Sequence, residues 1–230
     1  MTKTSILKSI LSLSIIGIFF SACSTDQKQA SDEKEEARLT DSAAQEEKKK
    51  TILFFGDSMT AGYGVDQSQA FPALVQDKID SLGLNYKVIN GGLSGETSAS
   101  GLSRIDWFLE EQPDIFILEL GGNDGLRGIQ LDETKKNLQG IIDKIEEKYP
   151  DTRVILAGMQ IPPNMGQEYT AEFQKMYPEI AEKNDLVLIP FLLEGVGGNA
   201  ALNQPDGIHP TAEGHQLVAK NVWEFLGPVL

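Results

Sequence analysis

From residue 51 onward the chain alternates between short, continuously apolar runs and longer stretches in which apolar residues recur every three or four positions. Residues 51–55, Thr-Ile-Leu-Phe-Phe, have the length and composition of a strand covered on both faces. A helix pattern follows, with Phe71, Leu74, Val75, Ile79 and Leu82 on one stripe and Gly83 to end it. Residues 86–89 read as a second strand. Residues 98–111 read as a helix presenting Leu102, Ile105, Phe108 and Leu109, and residues 114–120 as a third strand. The next helix is the cleanest, with Leu138, Ile141, Ile142, Ile145 and Tyr149 on one side and charges opposite. Strands at 153–157 and 186–189 and helices at 170–183 and 211–226 complete the pattern, with 161–166 as loop and 191–208 broken up by Gly, Asn and Pro. Strands alternating with helices predict an α/β fold with a parallel sheet and right-handed crossovers. In such a sheet the loops that follow the strands share one edge, and ligands bind there.

The first 50 residues do not share this pattern. Residues 1–22 have the layout of an export signal: Lys3 and Lys8, then an apolar stretch from Ile10 to Phe20, then small residues. The apolar stretch is short for a transmembrane helix, which needs about 20 residues. Phe20-Ser21-Ala22-Cys23 resembles a bacterial lipobox, in which the cysteine becomes the lipidated N-terminus of the mature protein. Cys23 is the only cysteine in the chain, so no internal disulfide can form. Residues 23–50 are polar, mixed in charge and poor in large apolar side chains, and are expected to be a flexible tether. The folded domain is expected over 51–230, and an exported, membrane-anchored lipoprotein is the expected setting.

Charge adds an exclusion. Residues 1–50 hold eight basic and eight acidic side chains, so the whole net charge of −14 falls on 51–230. A surface of that sign repels phosphate backbones and argues against nucleic-acid binding.

Candidate chemistry lies in the loops after the strands. Ser58, in Gly56-Asp57-Ser58-Met59, stands at the end of the first strand. A serine hydroxyl needs an adjacent base to become a nucleophile. Of the two histidines, His209 lies in Asp206-Gly207-Ile208-His209-Pro210, where a loop can turn the aspartate onto Nδ1 and leave Nε2 free as the base. His215 falls inside a helix pattern, where a structural or surface part is more common. Asp206 and His209 alone are too few for a typical zinc site. Donors for an oxyanion are available from the Ser58 amide, from Gly95 and from the side chain of Asn123 in the loop after the third strand. Each glycine-rich loop taken singly also reads as a plain tight turn. No Gly-x-Ser-x-Gly elbow or P-loop is present, and the serine loop is not Gly-x-Gly-x-x-Gly, so dinucleotide binding has no support there.

Taken together, Gly56-Asp57-Ser58 with Ala61-Gly62-Tyr63-Gly64, Ser94-Gly95-x-Thr97, Gly121-Gly122-Asn123-Asp124 and Asp206-Gly207-Ile208-His209-Pro210 resemble the ordered blocks of the SGNH (GDSL) hydrolase family. The string from Glu119 to Gly128, the Ile161-Pro162-Pro163-Asn164 loop and Tyr177-Pro178 resemble its thioesterase/lysophospholipase/arylesterase branch. The resemblance implies a three-layer α/β/α sandwich, flavodoxin-like, with five parallel strands in the order 2-1-3-4-5. It implies Ser58 as nucleophile, His209 as base and acid, Asp206 as its orienter, an oxyanion hole from Ser58, Gly95 and Asn123, and no cofactor. Glu96 stands where that branch often has aspartate. The implied activity is a serine esterase acting on acyl esters, thioesters or lysophospholipids, with Leu126, Ile129, Ile161 and Met165 as candidates for an acyl groove. A monomer is expected. A carbohydrate O-deacetylase on the same fold, or a tethered module binding an anionic ligand, are the competing readings.

Overall fold

The computed structural model describes residues 48–230. The expected signal segment, Cys23 and the tether up to residue 47 lie outside the described residues.

Five strands form one all-parallel sheet in the order β2-β1-β3-β4-β5. They are β1 Lys50–Gly56, β2 Tyr86–Gly92, β3 Ile115–Glu119, β4 Arg153–Ala157 and β5 Val187–Ile189. This is the strand order that the family resemblance implied. β1 starts one residue earlier than the apolar run, with Lys50 opposite Tyr86. Ile52 through Phe55 and Ile115 through Leu118 are all buried, because helices cover both faces of the sheet. Phe54 meets Phe71 edge-on at 5.5 Å, and Phe55 meets Phe108 at 5.4 Å. Each such side chain contributes about 1.5–3 kcal/mol on burial, so the two central strands anchor the fold.

The helices are α1 Ser58–Ala61, α2 Phe71–Ser81, α3 Ser98–Phe108, α4 Gly122–Leu126, α5 Leu131–Lys148, α6 Gln167–Lys183 and α7 Ala212–Leu226. α2 packs with α7, and α5 packs with α3 and α6. Thr97 and Thr211 cap α3 and α7 by accepting from Ser100 N–H and Gly214 N–H.

Several boundaries differ from the sequence pattern. The helix expected to reach residue 111 ends at Phe108, and Leu109 leaves the helical region with ψ 24° while keeping its side chain in the core. Leu82 was expected on a buried stripe but is 52% exposed. It is the cap residue after α2, past Ile79, the last residue of the helix's buried stripe. α6 starts at Gln167 rather than 170 and runs through Pro178. β2 continues to Gly92, and the loop at 161–166 contains a 3-10 turn, Pro163–Met165.

Candidate active site

β1 ends by delivering the chain into a one-turn helix whose first residue is Ser58. Asp57 caps that turn, its Oδ1 accepting from Met59 N–H at 3.0 Å. Ser58 is 7% exposed, so its hydroxyl sits in a shielded floor rather than on an open loop.

The base arrives from the far end of the chain. His209 Nε2 lies 2.9 Å from Ser58 Oγ, and His209 Nδ1 lies 2.7 Å from Asp206 Oδ2. The other oxygen, Asp206 Oδ1, accepts from the backbone N–H groups of Ile208 and His209 at 2.9 and 3.0 Å. These bonds fold the loop so that the carboxylate faces the ring three residues later. The hydrogen bond to His209, helped by the backbone donors, lowers the Asp206 pKa to about 2. An ionised Asp206 accepts from Nδ1–H and leaves the Nε2 lone pair toward the serine. Tyr63 lies against the imidazole, with ring centroids 4.6 Å apart.

The three expected donors are placed as follows. The N–H groups of Ser58 and Gly95 have no acceptor among the described residues. Gly95 has φ 79°, a conformation that suits glycine. Its loop is held from three sides. Leu93 N–H donates to Gly56 O at 2.9 Å, Arg127 Nη2 donates to Gly95 O at 3.0 Å, and buried Glu96 forms a bidentate pair with buried Arg104. Arg104 also donates to Gly91 O at 2.8 Å and stacks over Phe55, 4.2 Å from its centroid. Asn123 was expected in a loop, but it lies in the single turn of α4. That turn is fixed by the buried Asp124, which accepts from Ser98 N–H at 2.8 Å and from the Ser98 hydroxyl. Asn123 Nδ2 gives one proton to Asp57 Oδ2 at 2.9 Å, leaving a second for a ligand. A serine, an oriented imidazole and donors at this sheet edge are what acyl transfer through a tetrahedral intermediate requires.

Four further features escape the sequence pattern. Burial raises the Asp57 pKa to about 6 against the pull of Met59 N–H and the Asn123 amide. Glu119 is buried beneath the serine turn, and burial together with the Asp57 charge pushes its pKa well up. A lone carboxylate in the apolar run 115–120 is a signal that could have exposed it. Gln204 ties the histidine loop to the serine loop through two carbonyls. Tyr63 packs on His209 although nothing in its spacing marks it. His215 is structural: it is 1% exposed, its Nδ1 accepts from Phe71 N–H at 3.3 Å, and burial lowers its pKa to about 4.

The four groove candidates are unlike one another. Ile161 is a core residue, 7% exposed and pressed against Gly125. Met165 is half-buried and packs on the core. Leu126, the last residue of α4, and Ile129 just after it are half-buried.

A profile of the GDSL-like lipase/acylhydrolase family matches residues 54–217. The chain is 41% identical over 181 residues to Esterase TesA of Pseudomonas aeruginosa, which covers 78% of this chain and 89% of that protein. It is 37% identical over 181 residues to Thioesterase 1/protease 1/lysophospholipase L1 of Escherichia coli K12, covering 78% of this chain and 85% of that protein. The crystal structure of TesA superposes with a TM-score of 0.75, covering 79% of this chain and 100% of that one. With the sheet order, the serine turn and these relatives in agreement, the chain belongs to the GDSL-like lipase/acylhydrolase family and is a carboxylic-ester hydrolase.

Proposed function

We propose that this enzyme cleaves fatty-acyl esters, acyl thioesters or lysophospholipids through an acyl-enzyme on Ser58. The observation that carries this reading is the continuous line Ser58 Oγ, His209 Nε2, His209 Nδ1, Asp206 Oδ2, with separations of 2.9 Å and 2.7 Å at its two hydrogen bonds. His209 takes the Ser58 proton as Oγ adds to the acyl carbonyl. The carbonyl oxygen gains the electron pair and accepts from Ser58 N–H, Gly95 N–H and the free Asn123 amide proton. The intermediate collapses by breaking the bond to the leaving alcohol or thiol, which His209 protonates. Water, deprotonated by His209, then attacks the acyl-enzyme and releases the acid. Leu126 and Ile129 supply apolar surface for the acyl chain. The lipobox-like sequence at Cys23 supports an exported, lipid-anchored protein with its hydrolase domain on the periplasmic or cell-surface side.

A serine-reactive phosphonate should label the wild type and spare Ser58→Ala. Labelling of both would remove Ser58 from the mechanism. An acyl-length series on the same preparation defines the substrate: octanoyl or longer esters should be preferred, whereas preference for acetylated sugars would make the enzyme an O-deacetylase.

A further inference from the structure

Glu119 closes β3 and lies under the nucleophile's turn, 1% exposed. Its Oε2 accepts from Asp57 N–H at 3.1 Å and from Thr60 Oγ–H at 2.8 Å. The residues just before and two after Ser58 therefore hang from the same oxygen. Space for it is made by Gly56: a Cβ there would fall 2.4 Å from Glu119 Oε2 and 2.2 Å from Thr60 Oγ1. Asp57 in turn holds Asn123 through Oδ2 at 2.9 Å. The support thus runs from Glu119 to the serine turn, and through Asp57 to a donor of the oxyanion hole.

The charge state follows from the surroundings. Oε1 of Glu119 is buried and has no hydrogen-bond partner among the described residues, and no cation pairs with either oxygen. The nearby polar groups are the Asp57 carboxyl, the Thr60 hydroxyl and the Tyr177 phenol, whose proton goes to Leu120 O at 3.0 Å. Two adjacent carboxylates in such a setting do not both ionise. Only an acceptor is used here, and a neutral carboxyl can provide it.

We propose that Glu119 is a positioning residue for ester cleavage: a buried carboxyl that accepts from Asp57 and Thr60, sets the Ser58 turn and, through Asp57, aims the Asn123 amide at the developing oxyanion. This rests on the reading of Ser58 as nucleophile. Glutamine keeps an acceptor at this position, whereas alanine leaves two buried donors unpaired.

The test compares Glu119→Gln, Glu119→Ala, Thr60→Val and Ser58→Ala with wild type, using hydrolysis of a p-nitrophenyl acyl ester. Glu119→Ala should lower kcat by about 30-fold or more, with KM within about 2-fold, and should slow phosphonate labelling in parallel. Glu119→Gln should stay within about 3-fold of wild type and keep its pH profile, and Thr60→Val should lose about 3–10-fold in kcat alone. A folded Glu119→Ala with wild-type kcat overturns the proposal, and so does a Glu119→Gln as impaired as the alanine variant. If Glu119→Ala does not fold, the other two decide. A near-wild-type glutamine variant with a kcat-specific loss in Thr60→Val supports the proposal; an impaired glutamine variant or an unaffected Thr60→Val overturns it. Hydrolysis surviving in Ser58→Ala would instead overturn the nucleophile assignment, a result separate from any of these.

Discussion

The side-chain amide of Gln204 reaches the carbonyl of Tyr63, donating one proton at 2.7 Å, and gives its other proton to Pro210 O at 2.9 Å. Tyr63 follows the serine turn and Pro210 follows the histidine, so one planar amide spans the two halves of the site. Its own backbone N–H donates to His209 O at 2.7 Å. Replacing Gln204 by alanine removes both side-chain bonds, worth about 0.5–1.5 kcal/mol each, and should lower kcat several-fold in a chain that remains folded. Gln204→Glu should be worse, since it sets a carboxylate oxygen against two carbonyls. Gly64→Ala provides an independent check. Its Cβ would lie 2.2 Å from Gln204 Oε1 at φ 78°, so it should displace that amide and reproduce the loss with residue 204 unchanged in sequence. Steady-state kinetics beside a melting curve separates the effect on kcat from unfolding.

Asp57 makes stability depend on pH in a direction opposite to that of a salt-bridged carboxylate. Its pKa rises from 3.8 unfolded to about 6 folded. Between these values the unfolded chain has released the proton and the folded chain still holds it, so stability falls as pH rises from about 4 to about 6 and then levels. The shift is worth about 3 kcal/mol at pH 7. Asp57→Asn should therefore gain on wild type across that window, in denaturant titrations at pH 4, 5, 6 and 7. The same variant should lose activity, because the amide cannot accept from both Met59 N–H and Asn123. Stability given up at a functional position is a common trade.

The pair Glu96–Arg104 is buried beside Gly95, whose N–H is a proposed oxyanion donor. Glu96→Gln would leave a guanidinium without its counter-charge, with an expected loss of about 3–5 kcal/mol. The double variant Glu96→Gln/Arg104→Met should recover part of that loss, since no buried cation remains. A double-mutant cycle in urea measures the coupling. Activity of either single variant should fall further than stability alone explains, because Gly95 precedes Glu96 directly.

His215 contributes an acid-side limb. Burial lowers its pKa to about 4 from 6.5, so its contribution is complete above pH 6.5 and is lost as pH falls toward 4. Protonation at Nδ1 would also remove the acceptor for Phe71 N–H at the start of α2. His215→Leu should be less stable at pH 7, by about 1 kcal/mol for the lost bond, and its melting temperature should vary less between pH 6.5 and 4.

The alternation of strands and helices could be read from apolar periodicity and the placing of Ser58, Asp206 and His209 from the motif blocks, whereas the lateral order of the strands came only from the family resemblance. These signals are local: a strand's period, a loop's composition, an aspartate three residues before a histidine. What could not be read depends on contacts across the fold. Gln204 carries no mark, since a glutamine in a Gly/Asn/Pro-rich stretch has no pattern until Tyr63 is placed beside it. Glu96 stood out only as a departure, and its partner Arg104 is defined by one turn of α3. Asn123 was assigned to a loop because Gly121-Gly122 reads as a break, yet Asp124 anchors a helical turn there through Ser98. Glu119 was the most recoverable, because an acid inside an otherwise apolar strand demands a reason.

Ser58 and His209 are separated by 151 positions along the polymer. On the roles proposed for Ser58 and His209, a polypeptide ending before residue 209 would carry the serine without its base, and would also lack Val218, Val222 and Leu226, which complete the core. Cleavage of the chain between Gln204 and Thr211, a stretch with few buried side chains, is therefore expected to lower ester hydrolysis while sparing nearly all of the buried interior.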